Sequence, residues 1–355
     1  MDKENLDNVE FDGFGNENIF IKRANLIRDE IVKQQKELNQ ELQEFENLLI
    51  EAKEAEDLTM RDELPELIVK SGQQRSITQR THNFKRVQIE KGGTLKIVGV
   101  SRQWCIIDCE EDFICQGTII GIGVPYGSSP VNATTPNGTQ LSYSYPTLAL
   151  GGRGGSGGNS VANTRHDSAR RGTGGSGATG TLDYSGGGGG GAGALFCKMC
   201  RQSKVQNGEN ASSYRGGFGG QVDNKEGAKG GDGVRAKRNR NGALLYIKAK
   251  SFDGTEGYID LSGLNGRSGS NGEKAYRDNY SGSAAGNGGG GGGAPGGDGG
   301  VMIVEFNSLT AEARVNIQPG SGGPEGQSGN GPGNNGGAGY RGDDGEGGYV
   351  DWVQL

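Results

Sequence analysis

Residues 320–348 read GSGGPEGQSGNGPGNNGGAGYRGDDGEGG, and their spacing decides the fold. Gly320, Gly323, Gly326 and Gly329 keep a step of three; after one slip, Gly333, Gly336, Gly339, Gly342, Gly345 and Gly348 resume it. The same step recurs at Gly263, Gly266, Gly269 and Gly272, and at Gly293, Gly296 and Gly299. Three residues per turn is the period of a polyproline II helix, which rises about 3.1 Å per residue and has no internal hydrogen bonds. A bare glycine edge lets a second backbone approach, so unpaired amides and carbonyls can bond between helices. The spacing predicts a bundle of such helices.

A flexible linker and a collagen triple helix share this composition. Collagen needs a long, proline-rich, uninterrupted run, whereas the runs here are short and the whole chain holds nine prolines. Against a linker stands the regular return of apolar strands. Gly193–Cys200, Gly242–Ala249 and Gly299–Phe306 align as one unit; in the last two, a turn leads to a second strand, Tyr258–Leu261 or Arg314–Ile317, and then to the next glycine tract. Upstream, Thr94–Val98, Trp104–Ile107, Phe113–Cys115 and Thr118–Ile122 predict short strands, as solenoid rungs or a small sandwich.

From about Ile19 to Leu58 the chain is rich in Glu, Lys, Gln and Leu without Pro or Gly, a long-helix composition. Ile31, Leu38, Phe45 and Ala52 fall seven apart, and Leu42 and Leu49 complete an a/d seam whose earlier positions, Arg28 and Gln35, are polar. Such a seam predicts a self-associating coiled coil or docking on another subunit. Val9, Phe11 and Phe14 sit among acidic and amide residues, as in a peptide that orders on a partner. The expected fold class is mainly β and irregular: a segment 1–18 that anchors, a coiled-coil stalk over 19–72, a strand-rich segment over 73–150, and glycine-rich helices alternating with short strands over 151–355.

A net charge of −6 argues against a general nucleic-acid protein, although Arg235–Arg240 and Arg170-Arg171 are basic runs. The apolar fraction is 31% and the aromatic fraction 6%. No stretch reads as a membrane span or a signal peptide. Five cysteines, an odd number, fit a reducing cytoplasm at assembly. Cys197 and Cys200 invite zinc, but their places in the repeat belong to apolar strand residues, and only His82 and His166 offer imidazole. No metal, cofactor or catalytic set is expected, and Asp108–Asp112 reads as a turn.

Val301–Phe306, Ala313–Gly320 and the glycine triplets between strands resemble the glycine-rich fibres and distal adhesins of tailed bacteriophages, from about residue 90 onward. Gly92–Val98 and Gln116–Gly123 are similar to the strand-rich segment that precedes such tracts. The resemblance implies stacked glycine helices carrying receptor specificity in loops, a homotrimer, attachment to other virion proteins through the N-terminus, and contact with a bacterial surface glycan or protein. Aromatics in polar, glycine-flanked loops are the contact candidates: Tyr143, Tyr145, Tyr214, Phe218, Tyr276 and Tyr280. A head or neck decoration without a receptor and a free glycine-helix protein such as an ice-binding bundle are the alternatives.

Overall fold

In this computed structural model the described residues are 64–355, apart from 100–101, 126, 128, 146–148, 160–173, 192–206, 220, 223–224, 227, 276–284 and 332–333, together with Arg28, Val32, Lys33, Gln35, Asn39, Gln40 and Gln43. The chain divides into two units, Met1–Glu46 and Asn47–Leu355. The seven described residues of the first are helical and exposed. The seam residues Ile31, Leu38, Leu42, Phe45, Leu49 and Ala52, and the anchor candidates Val9, Phe11 and Phe14, lie outside the described residues.

The expected fold class is overturned. Every named element is a strand, and no coiled-coil stalk is formed among the described residues. The strands are not brief interludes: they assemble an eight-stranded and a five-stranded sheet. The physical reason is burial. A helix gains most of its stability from an apolar face packed on something, and Val32, the one apolar residue among the seven, is 58% exposed. The β-branched and aromatic residues from Leu67 onward instead find each other in one core.

Three columns of parallel strands build the second unit. The first stacks β1 (Glu66–Val69), β4 (Arg86–Ile89), β7 (Asp112–Cys115) and the far halves of β15 (Leu244–Asp253) and β17 (Val301–Ala311). The second stacks β2 (Gln74–Thr78), β5 (Thr94–Val98), β8 (Thr118–Ile120), β16 (Tyr258–Asp260) and β18 (Arg314–Asn316). The third stacks β3 (Thr81–Phe84), β6 (Trp104–Cys109), the near halves of β15 and β17, and β19 (Tyr349–Gln354). Followed along the chain, these columns make five coils of a parallel solenoid. Parallel neighbours need a long crossover, and here each coil is the crossover.

Alternation decides which residues face inward. Leu67 and Val69, Val87 and Ile89, and Phe113 and Cys115 are all buried, while the residues between them are only partly so. In register they stack as Leu67 on Val87, Val87 on Phe113, and Phe113 on Phe252. The last two rings lie 5.4 Å apart and nearly parallel. In the third column His82, Ile107, Ile247, Val304 and Trp352 form one ladder. Trp352 meets Phe252 edge-on at 5.2 Å, which ties the columns across the core.

Every glycine tract leaves this solenoid at the same corner, between the second and third columns. In the first coil that corner is residues 79–80 and in the second 99–103; it then swells to 121–243, 261–300 and 317–348. The outgrowths lie side by side and bond through their backbones at every third residue. Gly263, Gly266, Gly269 and Gly272 donate to the carbonyls of Gln318, Ser321, Pro324 and Gln327. Residues 285–300 are buried throughout. Along this central tract successive amides turn to three different neighbours, Gly288 to Glu273, Gly289 to Gly189 and Gly290 to Gly337. Three further neighbours donate back, Gly152 to Gly293, Gly231 to Gly289 and Gly323 to Ala294. The central tract thus has six neighbours, alternately acceptor and donor, the arrangement a threefold backbone imposes.

At the glycines of this tract there is no room for a side chain. A methyl group on Gly292 would stand 2.0 Å from the carbonyl oxygen of Gly152, and one on Gly290 1.9 Å from that of Gly326. Contacts of that length require backbone to move.

Candidate functional site

The side-by-side outgrowths form a glycine-rich slab, and the sequence candidates divide between its junction with the solenoid and its connecting turns. The third coil's outgrowth, 121–243, opens with β9 (Ile122–Pro125), which pairs with β14 (Asn239–Gly242), and also carries the pair β12 (Gln221–Val222) and β13 (Lys225–Glu226). Near its start the hairpin β10 (Val131–Thr134) and β11 (Gln140–Tyr143) lies over the outer face of the third column. It is fastened by the Trp104 Nε1–H donating to the Val131 carbonyl at 3.0 Å. At its tip Asn137 Nδ2 donates to Glu305 Oε2 at 3.2 Å, and the Tyr246 hydroxyl donates to the same oxygen at 2.6 Å. Burial, then the Glu305 carboxylate, pushes the Tyr246 phenol upward.

Tyr145 belongs to this packing. It is 4% exposed and its hydroxyl donates to the Gly242 carbonyl at 2.5 Å, so it offers no face to a ligand. Tyr143 is half-buried, edge-on to Tyr145 at 5.3 Å and 5.9 Å from the Tyr349 ring. Burial, before the nearby carboxylates, pushes its phenol up to about 12.

The other candidates fall elsewhere. Tyr214 lies in a turn whose Ser213 has φ of 49° and whose Ser212 and Arg215 bridge each other. Its ring is 6.1 Å from that of Tyr184, tilted by 54°, and the Arg235 guanidinium carbon stands 5.2 Å over it. Phe218 is half-buried with Lys229 Nζ 5.9 Å from its centroid. Lys229 in turn meets Asp232 at 3.3 Å. Tyr276 and Tyr280 lie outside the described residues, as do His166, Cys197, Cys200, Arg170 and Arg171.

The structure therefore brings Tyr214 together with the basic run, a juxtaposition the sequence reading did not make, and adds Tyr184, which it did not single out. The antiparallel Tyr184–Arg235 bridge aligns their two segments, and the Ala236 amide donates to the Asp183 carbonyl at 2.7 Å. The run itself is divided. Arg240 is 4% exposed and its Nη1 donates to the Leu182 carbonyl at 2.9 Å, whereas Arg235, Lys237 and Arg238 are exposed. The signal available in sequence was the pairing of a glycine-flanked Tyr with a cationic run, but nothing in spacing says they meet.

The thiols and the imidazole among the described residues are core groups. Cys105, Cys109 and Cys115 are at most 3% exposed; burial raises all three, Cys109 to about 11 and Cys115 to about 12. A thiol held that far up is a poor nucleophile or ligand at neutral pH. His82 is 1% exposed, its Nε2 is 2.8 Å from the Thr78 carbonyl, and burial lowers its pKa. Among the described residues no group of three or more His, Cys, Asp or Glu is placed to hold a metal ion. Asp343 and Asp344 are exposed carboxylates with structural duties: Asp343 Oδ2 accepts from the Leu150 amide at 3.0 Å, and Asp344 Oδ1 from the Gly322 amide at 2.7 Å.

No protein-family model, curated protein or solved structure matches this chain.

Proposed function

We propose that this chain is a structural fibre or adhesin component of a phage virion, attached to the particle through its N-terminal region and turning its glycine-rich slab toward the host surface. It acts by binding and not by catalysis. One observation supports the reading most: the slab is closed chiefly by bonds from glycine amides to neighbouring backbone carbonyls, so most of its displayed side chains are not needed to hold it. A scaffold of that kind tolerates exchange of its displayed side chains, which suits a surface that must follow a changing receptor. It is also stiff, because few rotatable groups take part. The role on a virion, assembly in the host cytoplasm, and three copies per fibre follow from the resemblance to phage adhesins.

Immunogold electron microscopy with antibody against residues 140–355 tests the reading. Label on fibres or surface projections of virions is expected; protein found only free or on cells would overturn it. Exchanging Tyr214 and Phe218 for serine is expected to slow virion adsorption. Labelled virions that adsorb normally with this exchange would favour decoration without receptor contact.

A further inference from the structure

The turn of Tyr214 and the exposed part of the basic run form a surface with one consistent chemistry. We infer that Tyr184, Tyr214, Arg235, Lys237 and Arg238 bind an acidic polysaccharide, one carrying uronate carboxylates or phosphate groups on its sugars. This inference names the ligand class of the proposed attachment protein and rests on that reading for its biological setting.

The geometry supports it in three ways. First, Arg235 is exposed and its guanidinium is set over the Tyr214 ring at 5.2 Å. An arginine placed on an aromatic ring has lost part of its freedom beforehand, and its planar fork matches a carboxylate or a phosphate. Second, the backbone under the cluster is held at several points. The Ala236 amide donates to Asp183, the Ser185 amide to Val234, the Gly233 amide to Tyr214, and buried Arg240 to Leu182. The side chains therefore stand on a rigid edge and not on a free loop, which lowers the entropy cost of binding. Third, cations outnumber carboxylates where charges are displayed, Arg235, Lys237 and Arg238 against Asp183. Asp232, in the same segment as Arg235, has its carboxylate engaged by the Gly216 amide at 2.8 Å and by Lys229 at 3.3 Å. Asp183 is the acidic residue beside the cluster, and it is exposed.

A sugar is favoured over a nucleic acid by the scale of the patch. Nucleic-acid binding draws its affinity from neutralising many phosphates along a track, and the chain carries a net charge of −6. Two half-buried tyrosine rings beside three exposed cations instead fit a short saccharide: a ring to pack on and an acid group to hold.

Equilibrium binding of the full-length protein to fluorescent polygalacturonate tests the inference, with neutral dextran and a single-stranded oligonucleotide as comparison probes. Polygalacturonate is expected to bind at least about tenfold more tightly than dextran. Lys237→Glu/Arg238→Glu changes two exposed side chains and leaves the lattice intact; it is expected to weaken polygalacturonate about tenfold. Arg235→Lys, which keeps charge but loses the fork, should weaken it by less. Equal binding of polygalacturonate and dextran, or binding unmoved by the double exchange, would overturn the inference. So would tighter binding of the oligonucleotide lost in the same variants. The result is separable from the virion proposal: purified protein that binds polygalacturonate but never labels virions sinks only the latter, and labelled virions whose protein ignores polygalacturonate sink only the former.

Discussion

The solenoid and the slab are held by opposite means. In the solenoid, side chains such as Phe113, Phe252 and Ile247 are fully buried and the backbone bonds follow from parallel pairing. In the slab the backbone is the packing surface, and from Gly288 to Gly293 no side chain exists at all. The comparison teaches that one chain can close two interiors, one dry and apolar, the other a lattice of amides and carbonyls. The first gains from area removed from water. The second gains little per bond, about 1 kcal/mol net, and depends on leaving none of them unmade.

Breaking the first interior should have the largest effect. Phe113→Ala removes a ring stacked at 5.4 Å on Phe252 with no exposed surface, and is expected to cost about 3–5 kcal/mol. A shift of the denaturant midpoint with an unchanged slope would check it. Since the slab grows from the solenoid's corner, amide exchange should rise in both regions. Exchange rising in the solenoid alone would mean that the slab holds itself.

Gly292→Ala breaks the second interior by overfilling it. Its added carbon would lie 2.0 Å from the Gly152 oxygen, and backbone must yield, at about 1–3 kcal/mol. Protease cleavage inside 285–300, with the amides of β6 and β15 still protected, is the expected pattern. Cooperative loss of both regions would show that the solenoid depends on the slab as the slab depends on it.

A pH titration separates the two interiors again. Burial lowers the pKa of His82 from its ordinary value near 6.5. Above that value both folded and unfolded chains hold the ring neutral and stability is full; as pH falls through it, the unfolded chain takes up the proton first and stability drops. The slab has no buried imidazole among the described residues. Stability measured between pH 7.5 and 5 should therefore fall, and His82→Gln should flatten that slope. A slope that survives the exchange would assign it to carboxylates.

Much of the register was legible. Aligning Gly242–Ala249 with Gly299–Phe306 puts Leu244 opposite Val301 and Ala249 opposite Phe306, which is how β15 and β17 pair. Tyr258 likewise pairs with Arg314. A repeat that stacks on itself must align in sequence as it does in space. The length of these strands was not legible, because β15 and β17 run on past the repeat into the next column, and a run of alternating residues does not show where it bends. The stalk was misread because an a/d pattern records helical compatibility and not a partner. Tyr145 was misread as a contact residue, and nothing set Arg240 apart from its basic run: each is buried with a bond to a backbone carbonyl, Gly242 or Leu182, that no local pattern marks.

The smallest predicted effect sharpens the comparison most. In residues 151–158, read GGRGGSGG, the glycines are buried or nearly so while Arg153 and Ser156 are exposed. Two glycines of each three face neighbours, and the third position faces water. A tract with six neighbours needs glycine at all three positions, as at 288–293; the edge tract from 263 to 272 needs it at one. Glycine density along a tract thus reads out how many neighbours that tract has. Ser156→Ala changes only the solvent side, since it is the Ser156 carbonyl that accepts from Gly337, and should shift stability by less than about 0.5 kcal/mol. Gly155→Ala, one residue away, aims a carbon 2.1 Å from the Gly337 oxygen and should cost about 1–3 kcal/mol. Thermal unfolding of the pair checks the rule. Equal effects at the two neighbours would mean that composition alone, and not the threefold placement of glycine, holds the slab together.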